Sequence, residues 1–278
     1  MALELSGVSY TYSAGTTWAQ RALTDASLPV ERGELVLVVG ATGSGKSTLL
    51  RLASGLLSPD SGTVTIDGEP LTPSALGRDV GIVFQSPESQ LFAETLLADV
   101  AFGPLNLGLA HDDAEQVARD ALDAVGLPHE QFAERSPFTL SGGEARRAAI
   151  AGVVAMRPRF LLADEPTAGL DAEGRASIRQ LLRSVGPETG VVIVTHDAEE
   201  FLAEADSVLV LSAGSLVFSG SSSQIVADPQ PLLGAGLLPP EVLRTQLLAR
   251  KAGVRLEQFT LDPVEAAERL ATARRAPA

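Results

Sequence analysis

Short, nearly unbroken apolar runs bounded by glycine-rich turns alternate along this chain with longer stretches of helical spacing. Residues 3–12 alternate loosely (Leu3, Leu5, Val8, Tyr10, Tyr12) and predict a strand, and residues 22–30 predict a second that ends about Pro29. Residues 34–39, 159–164 and 191–195 are almost wholly apolar, the texture of parallel strands covered on both faces. Residues 63–69 predict a short edge strand with a hairpin turn, 80–84 a buried strand that stops at Gln85, and 207–211 with 215–218 a closing hairpin about Ala213-Gly214. Between Ser86 and Arg157 the texture changes to helices separated by Gly and Pro; residues 112–125 place apolar side chains opposite a charged face. Residues 172–185 predict a crossover helix between two of the apolar strands. Residues 219–223 predict a polar loop, Pro229, Pro231, Pro239 and Pro240 a linker, and 241–250 and 264–273 two amphipathic helices. The sum is an α/β fold with a mainly parallel sheet.

The run 34–39 leads into Gly40-Ala41-Thr42-Gly43-Ser44-Gly45-Lys46-Ser47-Thr48, and the helix-like Leu49-Leu50-Arg51-Leu52-Ala53 follows. Strand, glycine-rich turn and helix in that order fit G-x-x-x-x-G-K-[ST] without adjustment. Backbone N–H groups must curl around phosphate oxygens there, and a Cβ would block the approach. A helix N-terminus near Gly45 adds partial positive charge at the same place. Lys46 can reach β- and γ-phosphates, and the Ser47 hydroxyl can ligate Mg²⁺. A plain turn between a core strand and a core helix would not need the lysine, and Lys251 is the only other one in the chain. The motif points to nucleoside triphosphate binding.

Composition narrows the class. The 278 residues suffice for one large domain with an appendage. Lys and Arg number 21 against 35 Asp and Glu, a net charge of −14. That balance argues against a nucleic-acid partner, whose affinity comes largely from cations neutralising phosphates. No cysteine is present, so disulfides, thiolate metal sites and cysteine nucleophiles are excluded. The first residues lack the basic and apolar regions of a secretory signal, and no apolar run approaches the roughly eighteen residues of a membrane span. The expectation is a soluble chain whose membrane role, if it has one, comes through a partner.

Two more segments carry chemistry. Phe160-Leu161-Leu162-Ala163-Asp164-Glu165 is an apolar strand delivering adjacent carboxylates at its C-terminal end, where open α/β sheets bind ligands. Asp164 is placed to hold Mg²⁺ opposite Ser47, and Glu165 to orient or deprotonate an attacking water. Leu140-Ser141-Gly142-Gly143-Glu144 precedes the Ala-rich stretch 145–156, and Ser141 and Glu144 have the S-x-x-E spacing of a capping box. Alone, that spacing is ordinary helix capping. Two bare glycines in the first turn of such a helix, just before the Asp164 strand, also make an anion site.

With the P-loop, the paired carboxylates and LSGGE in this order, the chain resembles the ATPase subunits of ATP-binding-cassette (ABC) proteins. The resemblance implies a P-loop ABC-type nucleotide-binding domain over residues 1–228, with an antiparallel β subdomain and a helical signature subdomain at about 86–157, and a small C-terminal dimerisation tail over 229–278. It implies ATP and Mg²⁺ as ligands, and that Ser141, Gly142, Gly143 and Glu144 bind the γ-phosphate of ATP held by the opposite subunit. Tyr12 matches the aromatic residue that stacks on adenine, with Tyr10 the other candidate. Gln85 matches the glutamine that contacts Mg²⁺ or water and senses the transmembrane partner, and His196 the histidine that contacts the γ-phosphate. Asp171, in Ala168-Gly169-Leu170-Asp171, matches the residue that links the two sites across the dimer. Ala163 stands where an apolar Leu is more usual, which alters packing and no chemistry.

One subgroup fits best. Val83-Phe84-Gln85-Ser86-Pro87-Glu88-Ser89-Gln90-Leu91-Phe92, Asp99-Val100-Ala101-Phe102-Gly103-Pro104, and the stretches 146–156 and 164–171 are similar to the ATPases of energy-coupling factor transporters. That likeness implies a second ATPase subunit, identical or related, a transmembrane coupling subunit and a substrate-capturing membrane subunit, at the cytoplasmic face of the cell membrane. It implies uptake of a vitamin or metal ion, and a groove after Gln85 for arginine-bearing helices of the coupling subunit, with Glu88, Glu94 and Asp99 as acidic candidates. An ABC ATPase of another transporter class is the alternative reading, and a soluble ABC ATPase a more distant one; neither a coiled-coil insertion nor a second cassette is present to support the latter.

Overall fold

The structure, a computed structural model, describes residues 2–185 and 188–275. It opens with β1 (Ala2–Tyr12) and β2 (Gln20–Glu31), then β3 (Leu35–Gly40), the P-loop, and α1 (Lys46–Ala53). The hairpin β4 (Ser61–Ile66) and β5 (Glu69–Pro70) turns at Asp67-Gly68 and is followed by β6 (Val80–Val83). Four helices come next: α2 (Leu96–Asn106), α3 (His111–Ala124), the single turn α4 (His129–Phe132) and α5 (Gly142–Ala155). Then come β7 (Phe160–Asp164), α6 (Ala172–Ser184), β8 (Gly190–Thr195), β9 (Ser207–Ser212) and β10 (Ser215–Ser221). The chain continues through α7 (Ser222–Ala227), α8 (Gln230–Gly234), α9 (Glu241–Lys251) and α10 (Pro263–Arg275).

The strands form two sheets. An antiparallel sheet has the order β2-β1-β4-β5, and a six-stranded sheet the order β10-β9-β3-β8-β7-β6. Only β10 runs antiparallel in the larger sheet. Strand β2 continues past Pro29, which pairs with Glu4; β2 is an edge strand, where a residue without an N–H is tolerated.

The apolar runs are unbroken because both faces of the large sheet are covered. Val36, Val38, Phe160, Leu162, Val192 and Val194 pack against α1 and the inner face of the antiparallel sheet. Their strand neighbours Leu37, Val39, Leu161, Ala163, Val191 and Ile193 pack on the other side with residues of α5 and α6. Each strand thus alternates between two cores rather than between core and water. Ala163 is fully buried there, so its small side chain is accommodated by packing alone.

This arrangement lines up the C-terminal ends of four parallel strands. Val39 lies opposite Thr195, Asp164 opposite Val194, and Val83 opposite Ala163. Gly40, Gln85, Asp164-Glu165 and His196 therefore emerge along one sheet edge, with neighbouring strands about 4.8 Å apart.

Beyond the sheet the structure departs from the sequence expectation in two places. The polar segment at 219–223 is not a loop: β10 runs to Ser221, whose side chain then caps α7 in a capping box with Gln224. The spacing S-x-x-Q was the available signal. The proline-rich linker contains α8, since Pro231 sits in its first turn, where no N–H is needed. Leu232, Leu237, Leu243 and Phe259 join the same buried cluster as Leu37 and Ile193, so the C-terminal helices pack onto the body. Gln246, fully buried on α9, donates to Thr260 O (2.7 Å) and accepts from Thr260 N (3.1 Å), tying α9 to the segment before α10.

Candidate active site

The P-loop is held open by contacts that only glycine permits. A Cβ on Gly40 would lie 2.4 Å from Ser44 Oγ and 2.5 Å from Leu211 O. Gly45, with φ 106°, is the N-cap of α1 and has no side chain to cover the helix end; a Cβ there would meet Ala22 O at 2.6 Å. Ala41, Thr42 and Gly43 form the exposed rim, while Ser44, Lys46 and Thr48 are buried beneath it. Lys46 Nζ folds back onto the loop, donating to Gly40 O (2.7 Å) and Ala41 O (3.1 Å). Burial lowers the Lys46 pKa, opposed by the carboxylates of Glu165 and Asp164. Ser44 Oγ is buried without a hydrogen-bond partner. An uncapped helix end, an orphaned hydroxyl and a cation held only by carbonyls together fit a phosphate chain.

The aromatic candidates separate. Tyr12 Oη lies 3.2 Å from Thr48 Oγ1 and accepts from Arg51 Nη1 at 3.3 Å, so its ring is fixed to the helix that follows the P-loop. Tyr10 packs into the core of the antiparallel sheet and meets Tyr12 edge-on, ring centroids 4.9 Å apart.

At the end of β7, Asp164 is buried, and the Ser47 hydroxyl and the Lys46 ammonium both act on its carboxyl. Among the described residues no three His, Cys, Asp or Glu side chains form a metal-binding cluster. A Mg²⁺ ion here would be held by Ser47, Asp164 and Gln85 together with oxygens from a phosphate. Glu165 sits at φ 48°, in the left-handed region that costs a non-glycine residue of order 1–3 kcal/mol. The turn aims its carboxylate at β8. Oε1 accepts from His196 N (2.9 Å) and lies 2.8 Å from His196 Nδ1, while Oε2 accepts from Thr195 Oγ1 (3.0 Å). The His196 side chain is itself 63% exposed. Gln85 follows β6 by two residues and is exposed.

Burial raises the Asp164 pKa; the Ser47 hydroxyl opposes this, Glu165 adds to it, and Lys46 and Arg51 oppose it. The folded chain therefore holds this proton more tightly than the unfolded chain does. Stability is lost as pH rises from the ordinary carboxylate range through the raised value, and stays lost above it. Asp164→Asn removes the charge and keeps an acceptor for Ser47. It is expected to raise the melting temperature of the nucleotide-free protein at pH 8, with the gain vanishing at or below about pH 4. Thermal melts at the two pH values check this, and a gain independent of pH would contradict it.

The second constellation lies elsewhere on the chain. Ser141 caps α5: its N–H donates to Glu144 Oε2 (2.7 Å) and its Oγ accepts from Glu144 N (3.3 Å). The Ser141 amide holds the Glu144 carboxyl below the usual carboxylate range. Nothing lies within 4 Å of where a Gly142 Cβ would be, and a Gly143 Cβ would touch only Leu170 Cδ2, at 3.5 Å. The cleft here is lined by Gly126, Ser141, Gly143, Glu144, Arg147 and residues 169–171, 173 and 174, with no contribution from residues 40–48, 164–165 or 196. Asp171 Oδ1 accepts from Gly174 N (2.8 Å) and caps α6. One residue escaped the sequence reading. Arg146 on α5 is buried and donates to the backbone carbonyls of Gln85 and Ala168. Its partners are main-chain atoms distant in sequence, which leave no pattern to read.

Comparison with known proteins agrees with this geometry. Residues 23–168 match the family model described as ABC transporter. The chain is 42% identical over 276 residues to the energy-coupling factor transporter ATP-binding protein EcfA2 of Lactiplantibacillus plantarum, covering 96% of this chain and 93% of that one. It is 40% identical to the protein of the same name from Listeria innocua, with 95% of each covered. Among solved structures it is similar to cbiO1 of Clostridium perfringens, described as part of the ABC transporter complex cbiONQ, at TM-score 0.72 and 32% identity, covering 88% of this chain and 98% of that one. It is also similar to the cassette MJ0796, solved as a dimer in a post-hydrolysis state with ADP and Pi, at TM-score 0.71 and 31% identity over 80% of this chain and 99% of that one. The chain belongs to the ABC transporter family, among the ATP-binding subunits of energy-coupling factor transporters.

Proposed function

We propose that this ATPase works as a dimer in which each ATP is gripped by the P-loop edge of one subunit and the LSGG turn of the other. The observation that carries the reading is the division of phosphate-binding groups: the cleft at Ser141 and Gly143 contains none of the P-loop, Asp164-Glu165 or His196. Tyr12 stacks on the adenine. The amides of residues 40–48 and Lys46 hold the β- and γ-phosphates, and Ser47, Asp164 and Gln85 hold Mg²⁺, which when bound neutralises phosphate charge. Glu165, backed by Thr195 and His196, orients the water and accepts its proton, and His196 bonds the γ-phosphate. Ser141, Gly142 and Gly143 meet that phosphate from the partner, with Glu144 fixing the cap and Asp171 joining the two sites. Hydrolysis removes the shared charge and the dimer reopens.

The motion reaches the membrane through partners. Among the described residues no helix is long and apolar enough to cross a bilayer. A groove on the helical subdomain, lined by Leu76, Phe92, Phe102, Leu107 and Met156, exposes two phenylalanines that meet edge-on. It fits a helix of a transmembrane coupling subunit, which together with a substrate-capturing subunit would import a vitamin or metal ion at the cytoplasmic face. Of the acidic candidates beside it, Asp99 accepts from the amides of Phe92 and Ala93 (both 2.7 Å), and Glu88 faces Arg146. Glu94 stands exposed and is the residue free to take an arginine. The body at 1–228 carries the catalysis, and the segment at 229–278 carries dimer contacts.

Ser141→Arg tests the division. The side chain projects into the partner's phosphate position and leaves the P-loop untouched, so ATP hydrolysis is expected to fall at least about a hundredfold. Nucleotide affinity of the monomer, read by calorimetry, should stay within about twofold. A fully active variant would show that the signature is not used in trans.

A further inference from the structure

Arg146 is a buried cation that the proposed chemistry does not use. Its side chain is 8% exposed, and its two terminal nitrogens donate to Gln85 O, two residues past β6, and to Ala168 O, in the loop between β7 and α6. The first carbonyl belongs to the residue that would contact Mg²⁺, and the second lies three residues before Asp171. The guanidinium itself rides on α5, one turn after Gly142 and Gly143. One rigid, planar group carried by α5 therefore grips the backbones of two other segments. Lysine, with a single ammonium on a flexible stem, cannot reproduce a two-pronged grip on carbonyls from different segments.

The third edge of this guanidinium is unfinished. Arg146 Nε and Glu88 Oε2 are both buried without hydrogen-bond partners, and they face each other at 3.7 Å. A hydrogen bond to a carboxylate closes near 2.8 Å. A shift of about 1 Å of the turn at residues 87–90 toward α5 would complete it, and buried groups of this kind are costly to leave unpaired.

We propose that Arg146 is a positioning residue that couples the Gln85 segment, the 166–171 loop and the signature helix, with Glu88 as the carboxylate onto which it closes. This rests on the ATPase reading above, but it makes a claim about the nucleotide-free chain that can be tested without turnover. The amides of Ser89 and Leu91, and of Ala168 and Leu170, are hydrogen-bonded within their own turns, so hydrogen exchange reports the order of each segment.

In Arg146→Lys, exchange of residues 85–91 and 166–171 is expected to accelerate together, by about tenfold or more, while residues 40–48 remain as in the wild type. Steady-state ATP turnover should fall about tenfold with ATP affinity within twofold. Glu88→Gln weakens only the far side of the guanidinium and should produce the same two-segment pattern at smaller amplitude. Acceleration in residues 166–171 caused by a change at position 88 is a result that a merely local packing role would not produce. The proposal is overturned if Arg146→Lys loosens only α5 or only one of the two segments. Should that variant fail to fold, unchanged exchange of residues 166–171 in Glu88→Gln overturns it equally. Failure of ATP to bind the wild type would instead count against the ATPase reading and leave this exchange pattern intact.

Discussion

Glu165→Gln is expected to bind ATP with wild-type affinity, to lose at least about two orders of magnitude in turnover, and to accumulate as a closed dimer. The substitution keeps size and the acceptor that meets the His196 amide at 2.9 Å. It removes the second acceptor oxygen and the negative charge, so no group at this position can take a proton from water. The left-handed backbone at residue 165 (φ 48°) and the contacts to Thr195 and His196 aim the side chain whether or not it is charged. Binding and chemistry should therefore separate cleanly. Single-turnover hydrolysis together with size-exclusion chromatography in ATP measures both, and wild-type turnover in the variant would remove Glu165 from its role.

Lys46→Ala is expected to weaken ATP binding by about a hundredfold or more, which is about 2.7 kcal/mol. Lys46 is buried, and in the nucleotide-free chain it satisfies its charge on the carbonyls of Gly40 and Ala41 and on the field of Asp164 and Glu165. Those carbonyls are exchanged for phosphate oxygens when a triphosphate enters, and charge-assisted bonds to phosphate are the stronger ones. Alanine leaves the carboxylates of Glu165 and Asp164 facing a polyanion without the ammonium that lies in their field. Calorimetric titration with ATP in the Glu165→Gln background, where the nucleotide survives, isolates this loss. Unchanged affinity would contradict the phosphate-binding reading of residues 40–48.

The resemblance also implied residues that no local pattern reveals. Gln85 and His196 are single polar residues after apolar strands, and their meaning comes from the register that sets Val83 beside Ala163 and Asp164 beside Val194. Helices α7 and α8 stand where serine and proline suggest loops, although both residues also start helices.

What the linear order determined was everything in which neighbours along the chain act on one ligand. The glycine turn with its lysine, the adjacent carboxylates after an apolar strand, and the capped LSGG helix start are each complete within a few residues. Tertiary structure decided what depends on atoms far apart in the chain. It turned the Glu165 carboxylate onto His196, joined Tyr12 rather than Tyr10 to the P-loop helix, and set Arg146 against carbonyls 61 and 22 residues away. Backbone carbonyls are the same at every position, so a side chain that recognises them leaves no trace in the residues it touches.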